Sequence, residues 1–145
     1  MAVIIKRIKL WRTEAENRPG ALAHILEPLA KAGADVQLLM GYRLSSDESK
    51  VSIDLSPVTG KKLTAAAGAA GLSASPVPAL VVQGDNKPGL LHGIARGLAE
   101  ARINISFATG NVIGRRFAVV FGFDSETDAK QAAPVIRRAT APSRR

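Results

Sequence analysis

Asn17-Arg18-Pro19-Gly20-Ala21-Leu22 occurs again, 69 residues later, as Asn86-Lys87-Pro88-Gly89-Leu90-Leu91. The same ungapped shift pairs Ile25 with Ile94, Leu29 with Leu98, Ala30 with Ala99 and Ala32 with Ala101. It also pairs Asp35 with Asn104 and Val36 with Ile105. Chance supplies a single Pro-Gly match easily, but not a whole ungapped block, so the chain reads as a duplicated unit.

The periodicity changes in a fixed order around each copy of this turn. Val3 to Trp11 and Val77 to Gln83 are β-branched and apolar enough for strands. Pro-Gly then opens a helix, because proline's fixed φ suits the first turn and its missing N–H costs nothing there. Leu22, Ile25, Leu26 and Leu29 share one helix face, as do Leu91, Ile94, Ala95 and Leu98, the stripe of a helix lying on a sheet. Pro28 and Pro134 fall inside predicted helices, and Pro28 is expected to kink the first.

Two strands follow each helix. Ala34 to Tyr42 alternates, as does Ile103 to Phe107. Val51, Ile53 and Leu55 against Ser52 and Asp54 predict a strand buried on one face, whereas Phe117 to Phe123 predicts one covered on both. Ser45-Ser46-Asp47 and Gly110-Asn111 read as hairpin turns. A weak alanine-rich helix at Lys61 to Ala70 and a helix capped by Ser125-x-x-Asp128 complete the pattern. Leu72 to Ala79 leaves the first unit room for a fourth strand; the second has only Thr140 to Arg145, so its last strand is missing or borrowed. The expected fold is α+β: two tandem ferredoxin-like βαββαβ units, residues 1–75 and 76–145, each an antiparallel sheet covered by helices on one face.

Composition narrows the functional classes. The 145 residues are 46% apolar and 22% charged, enough for packed cores. The absence of cysteine removes disulfides, thiol catalysis and thiolate metal sites. No signal-peptide pattern or bilayer-length apolar run occurs, so the expected setting is cytoplasmic, away from membranes. The net charge of +8 is spread out and partly terminal, in Arg137, Arg138, Arg144 and Arg145 of a basic tail. Together with 4% aromatics and no basic-aromatic strand, this argues against nucleic acid.

Catalytic chemistry finds no footing. His24 and His92 stand at non-equivalent positions without carboxylate clusters, a poor metal site. Gly60-Lys61-Lys62 lacks the remainder of a phosphate loop, and Glu14 with Glu16 or Asp47 with Glu48 fall in loops without apolar surroundings. The sequence predicts no enzyme, cofactor or metal. What remains is the turn itself: free helix amides at Gly20 to Leu22 and Gly89 to Leu91 form an anion site, and Asn17, Asn86 and Asn104 can address both ends of a zwitterion. The same turn can equally be a plain helix cap.

Glu16-Asn17-Arg18-Pro19-Gly20 followed by Gly33-Ala34-Asp35-Val36, and Asp85-Asn86-Lys87-Pro88-Gly89 followed by Ile103-Asn104-Ile105, resemble ACT domains, the regulatory ligand-binding modules of amino-acid metabolism. The likeness spans about Val3 to Ala139, and the turn is most similar to the serine-sensing domain of phosphoglycerate dehydrogenases. The resemblance implies that the turn asparagine and the asparagine opening the second strand hold an amino acid across a sheet-to-sheet pairing. Candidate ligand residues are then Asn17, Arg18, Gly20, Ala21, Leu22 and Asp35 in the first unit. In the second they are Asn86, Lys87, Gly89, Leu90, Leu91, Asn104 and Ile105. The chain departs from the serine pattern at Asp35, where asparagine is favoured, and at Ala15 and Gly84, where a histidine is. The expected function is a tandem ACT-like regulatory module that binds an amino acid or small carboxylate at a unit or subunit interface and signals to a partner enzyme. Unpaired sheet edges predict a homodimer through edges or helices. The alternatives are an assembly subunit with vestigial ligand sites and a nucleic-acid-binding ferredoxin-like protein.

Overall fold

The computed structural model describes residues 3–142. The element order is β1 (Ile4–Ile8), β2 (Trp11–Glu16), α1 (Ala21–Lys31), β3 (Leu38–Arg43), β4 (Lys50–Ser56) and α2 (Gly60–Ala69). There follow β5 (Ser73–Ala74), β6 (Ala79–Asp85), α3 (Leu90–Glu100), β7 (Ile105–Ile113), β8 (Arg116–Phe123) and α4 (Glu126–Ala139). These form two four-stranded antiparallel sheets, ordered β3-β4-β2-β5 and β1-β6-β8-β7.

The second order corrects the expected division of the chain at residue 75. Val3 to Trp11 is not one strand. It breaks at Lys9-Leu10, and Ile4–Ile8 pairs antiparallel with β6, from Ile4 opposite Gln83 to Ile8 opposite Ala79. Ile4–Ile8 thus supplies the fourth strand of this sheet. Lys9–Pro76 forms one compact unit, here called the inner unit, and the described residues on either side of it form the outer unit. The physical reason is core completion: Val3 and Ile5 pack against the outer unit's core, and the Arg7 guanidinium binds the Ala79 carbonyl and the Glu126 carboxylate.

The inner unit closes where it begins, with the Ser75 amide donating to the Leu10 carbonyl at 2.8 Å. Ile25, Leu29, Ile53, Leu55, Ala67 and Leu72 form its core, so α1 and α2 cover one sheet face. Its fourth strand is only Ser73–Ala74, because Pro76 and Pro78 remove ladder donors from the rest of the expected segment. β3 begins at Leu38 rather than Ala34. The reading of β4 as buried on one face is also overturned: Ser52, Asp54 and Ser56 are buried as well. Alternation predicts which side chains share a face but not that the polar face stays wet.

In the outer unit, Leu90, Ile94 and Leu98 of α3 and Ala129, Ala132, Val135 and Ile136 of α4 pack on Leu80, Val82, Phe117, Val119, Phe121 and Phe123. β8 is buried on both faces, as its apolar run predicts. Ser125 caps α4, its hydroxyl accepting from the Asp128 amide at 3.1 Å. Both proline-bearing helices run on through Pro28 and Pro134. Gly110-Asn111 is no turn: both lie inside β7, and the chain reverses at Gly114 (φ 62°) instead. Of the basic tail, Arg137 and Arg138 belong to the last turn of α4, whereas Arg144 and Arg145 lie outside the described residues.

Edge strand β7 is fastened by one aromatic contact. The Phe107 ring lies over Gly122 on β8, so that a Cβ at that position would collide with it. Gly122→Ala is expected to destabilise the protein by about 1–3 kcal/mol in urea unfolding, through displacement of the ring. In a Phe107→Ala background the same substitution should cost almost nothing; an undiminished cost there would contradict the assignment.

Candidate functional site

The repeated turn is built the same way twice. The Asn17 amide donates to the Ser49 carbonyl at 2.8 Å, and the Asn86 amide to the Arg115 carbonyl at 2.8 Å. Each ties a β-α turn to the neighbouring hairpin. Gly20 (φ 88°) and Gly89 (φ 83°) then take the left-handed conformation as N-caps, the backbone state that requires glycine at these positions. The Ala21 amide bonds back to the Arg18 carbonyl at 3.2 Å and that of Leu90 to the Lys87 carbonyl at 3.3 Å. The amides left without an intrahelical acceptor are therefore Leu22 and Ala23 in α1, and Leu91 and His92 in α3, one residue later than expected.

No side chain caps either helix and no acidic residue sits in either first turn. The positive end of each helix dipole is left uncompensated, which favours an anion. Asn17 is not a side-chain cap: its Nδ2 donates to the Glu48 carbonyl at 3.1 Å.

In the inner unit this helix start opens on a cleft of about 610 Å³. The end of β2 provides Thr13, Glu14, Ala15 and Glu16, the turn and α1 provide Arg18, Pro19, Gly20, Ala21, His24 and Ile25, and Ala70 and Gly71 close it. Arg18 Nε stands 3.5 Å from Glu16 Oε2. Arg18, the start of α1 at Gly20 and Ala21, and Glu16 thus line one concave surface, whereas the Glu14 side chain alternates to the face of Arg12 and Asp54. Such a surface can take a carboxylate and an ammonium group together.

Of the expected first-unit residues, the structure brings Arg18, Gly20 and Ala21 into this cleft and leaves Asn17, Leu22 and Asp35 outside its lining. In the outer unit Asn86, Lys87, Gly89 and Leu91 lie exposed on the turn, whereas Leu90 is 5% exposed and committed to the core. Ile105 packs against the same core. Asn104 is occupied within the chain, its Nδ2 donating to Asp124 Oδ2 at 3.1 Å while Ser106 Oγ donates to Asp124 Oδ1 at 2.6 Å. Sequence reasoning passed over Glu14, Glu16 and His24. The available signal was their closeness to the Pro-Gly turn: two carboxylates end the strand before it, and a histidine lies one helical turn beyond.

A second charged group lies on β4. Asp54 is fully buried and accepts from Arg12 Nε at 2.7 Å, while its Oδ2 has no hydrogen-bond partner. Burial disfavours the Arg12 charge, but the hydrogen bond and the negative charge of Asp54, with smaller contributions from Tyr42 and Glu14, together outweigh it and the guanidinium pKa is raised. This pair fixes β2 to β4 across the sheet, and removing one member leaves the other as an uncompensated charge. Among the described residues no three His, Cys, Asp or Glu side chains gather as a metal site, and no helix is long and apolar enough to cross a membrane.

The sequence model of the ACT domain matches residues 79–141. No curated protein matches the chain. Among solved structures, a protein from Bacteroides thetaiotaomicron superposes with a TM-score of 0.75 at 15% identity, over 90% of this chain and 88% of that one. The regulatory subunit of aspartate kinase from Thermus thermophilus, in its ligand-free form, gives 0.65 at 13% identity, covering 97% and 98%. Its counterpart from Thermus flavus gives 0.62 at 16%, again covering 97% and 98%. At these identities the likeness is one of fold. It extends over both units: the inner unit runs β-α-β-β-α-β in chain order, and in the outer unit β1 pairs with β6 to complete the four-stranded sheet.

Hydrogen bonds from Ser106 and then Asn104 hold the Asp124 pKa below the ordinary carboxylate value. A depressed folded pKa stabilises above the unfolded value, and that contribution fades as pH falls through the folded one. Ser106→Ala with Asn104→Ala should raise the Asp124 pKa in a carboxyl-detected NMR titration. An unmoved midpoint would contradict the hydrogen-bond assignment.

Proposed function

We propose that this protein is a non-catalytic regulatory module that binds a free amino acid, or a similar small zwitterion, in the inner-unit cleft and relays its presence to a partner enzyme. The observation that carries the reading is the composition of that cleft. Arg18 and the uncompensated positive end of α1 at Gly20 and Ala21 suit a carboxylate, and Glu16, at the end of β2 in the same lining, suits an ammonium group. The ACT-domain match at residues 79–141 and the regulatory subunits of aspartate kinase among the structural relatives support a regulatory role. The outer-unit turn, with Asn86, Lys87 and Gly89, offers a second, equivalent anion-binding helix start.

A change of ligand occupancy needs an element to act upon, and the sheet edges supply one. β7 is a nine-residue edge strand, Ile105–Ile113, without a charge or a proline, and Val112 and Ile113 are exposed at its end. Apart from a register irregularity between Ile105 and Phe107, this edge has no charge or proline to discourage pairing. The proposed assembly is a homodimer joined through β7. Light scattering should give twice the chain mass, and Val112→Lys with Thr109→Lys should give the chain mass. A monomeric wild-type protein would contradict this part of the reading.

Thermal unfolding against the common amino acids tests the ligand. One present at 100 times its Kd adds about 2.7 kcal/mol, a rise of roughly 5–10 °C for a chain of this size. The rise should be selective, should vanish in Arg18→Ala or Glu16→Gln, and should survive Asn104→Ala. A flat response across the panel would overturn the sensor reading.

A further inference from the structure

The charge of the molecule is concentrated in one unit. Lys9–Pro76 carries eight basic and seven acidic residues, and the rest of the sequence twelve basic and five acidic. Part of that excess lines a groove of about 430 Å³ between α3 and α4. Its floor is Gly93, Gly97, Ala101, Val135 and Ala139, and Arg96 and Arg138 stand on its rims with Glu100. Arg96 pairs with Glu100 at 2.9 Å one turn along its own helix, whereas Arg138 has no ion-pair partner among the described residues. Lys130 and Arg137 are exposed further along α4.

Helix packing does not demand the open floor. A Cβ at Gly93 would meet only the Ala139 carbonyl, at 3.9 Å, and one at Gly97 would make ordinary contacts at 3.4 and 3.5 Å. Glycine is the least favourable residue after proline in a helix interior, and two are kept here where alanine would fit. In the duplicated unit the same positions are His24 and Pro28, and the charges of Arg96 and Glu100 are reversed in Glu27 and Lys31. The groove is therefore not an inherited feature of the repeat. Arg102 adds to this: it follows α3 at φ 59°, a left-handed position where the other copy has Gly33.

We propose that this groove docks an acidic segment of a partner protein, its carboxylates meeting Arg96 and Arg138 and its backbone lying over Gly93 and Gly97. Gly93 to Ala101 spans about 12 Å of helix, the reach of a short peptide segment rather than of a single small anion. A polypeptide is favoured over nucleic acid because Glu100 interrupts the basic rim and neither helix bears a Phe, Tyr or Trp on which a base can stack. The proposal goes beyond the amino-acid reading and does not use the inner-unit cleft.

The test is fluorescence anisotropy of a short labelled Glu-Ala-Ala-Leu repeat peptide with the full-length protein, no amino acid present. Arg96→Gln with Arg138→Gln should weaken binding about tenfold or more, whereas Lys6→Gln with Arg115→Gln, which removes equal charge elsewhere on the unit, should leave it within about twofold. Gly93→Leu should abolish binding with an unchanged or higher Tm, because leucine favours the helix and fills the groove. Absence of peptide binding by the wild-type protein, equal weakening by the two charge pairs, or full binding by Gly93→Leu would each overturn the proposal. So would preference for an oligonucleotide of equal charge over the peptide. None of these outcomes bears on amino-acid-induced stabilisation, which is read separately.

Discussion

The ladder between Ile4–Ile8 and Ala79–Gln83 is the constraint on which the architecture depends. It carries the chain's first strand into a sheet built from its last 70 or so residues, and everything between becomes an insertion. Backbone pairing alone would specify this weakly. Val3 and Ile5 add apolar contacts to the outer core, and Arg7 ties the strand to the Ala79 carbonyl and to Glu126 at the start of α4. Gly84 permits the close approach: a Cβ there would stand 3.1 Å from Val3 Cγ1 and 3.2 Å from Phe117 Cε1. Without β1 the edge of β6 would be left open.

Nesting gives the two copies of the repeat different surroundings, and their side chains have diverged accordingly. Both keep the left-handed glycine and an uncapped helix start. In the inner unit that start lines a cleft with Glu16, Arg18 and His24. In the outer unit the asparagine of the following strand is spent on Asp124, and the helix pair instead opens a basic groove. One duplicated scaffold thus presents two chemically distinct surfaces, the proposed sites of a zwitterion and of an acidic polypeptide.

Much of the fold was legible because local and long-range preferences agree. The ungapped repeat fixed two units, Ile25 with Leu29 and Ile94 with Leu98 identified the buried helix faces, and Ser125 marked the start of α4. What escaped the sequence was set by tertiary pairing. Nothing at Lys9-Leu10 resembles a break, since neither residue is a turn former, and only the β6 partner ends the strand at Ile8. Gly110-Asn111 has turn chemistry but is held extended opposite Val119 and Ala118. Asp54 follows the polar phase of an alternating strand and is nevertheless buried with Arg12. Of the candidate cleft, Arg18 and Gly20 were legible, because the motif contains them. Glu16 and His24 join its lining only because a strand end and a helix start converge there.

The most direct measurement of the central claim is a titration of the isotope-labelled protein with the amino acid giving the largest stabilisation, followed by backbone amide NMR shifts. The account predicts saturable shifts at Gly20 and Ala21 at the start of α1, accompanied by Glu16, Arg18 and Gly71 around the same cleft. Saturable shifts confined to other parts of the chain, with the α1 start unmoved, would contradict it.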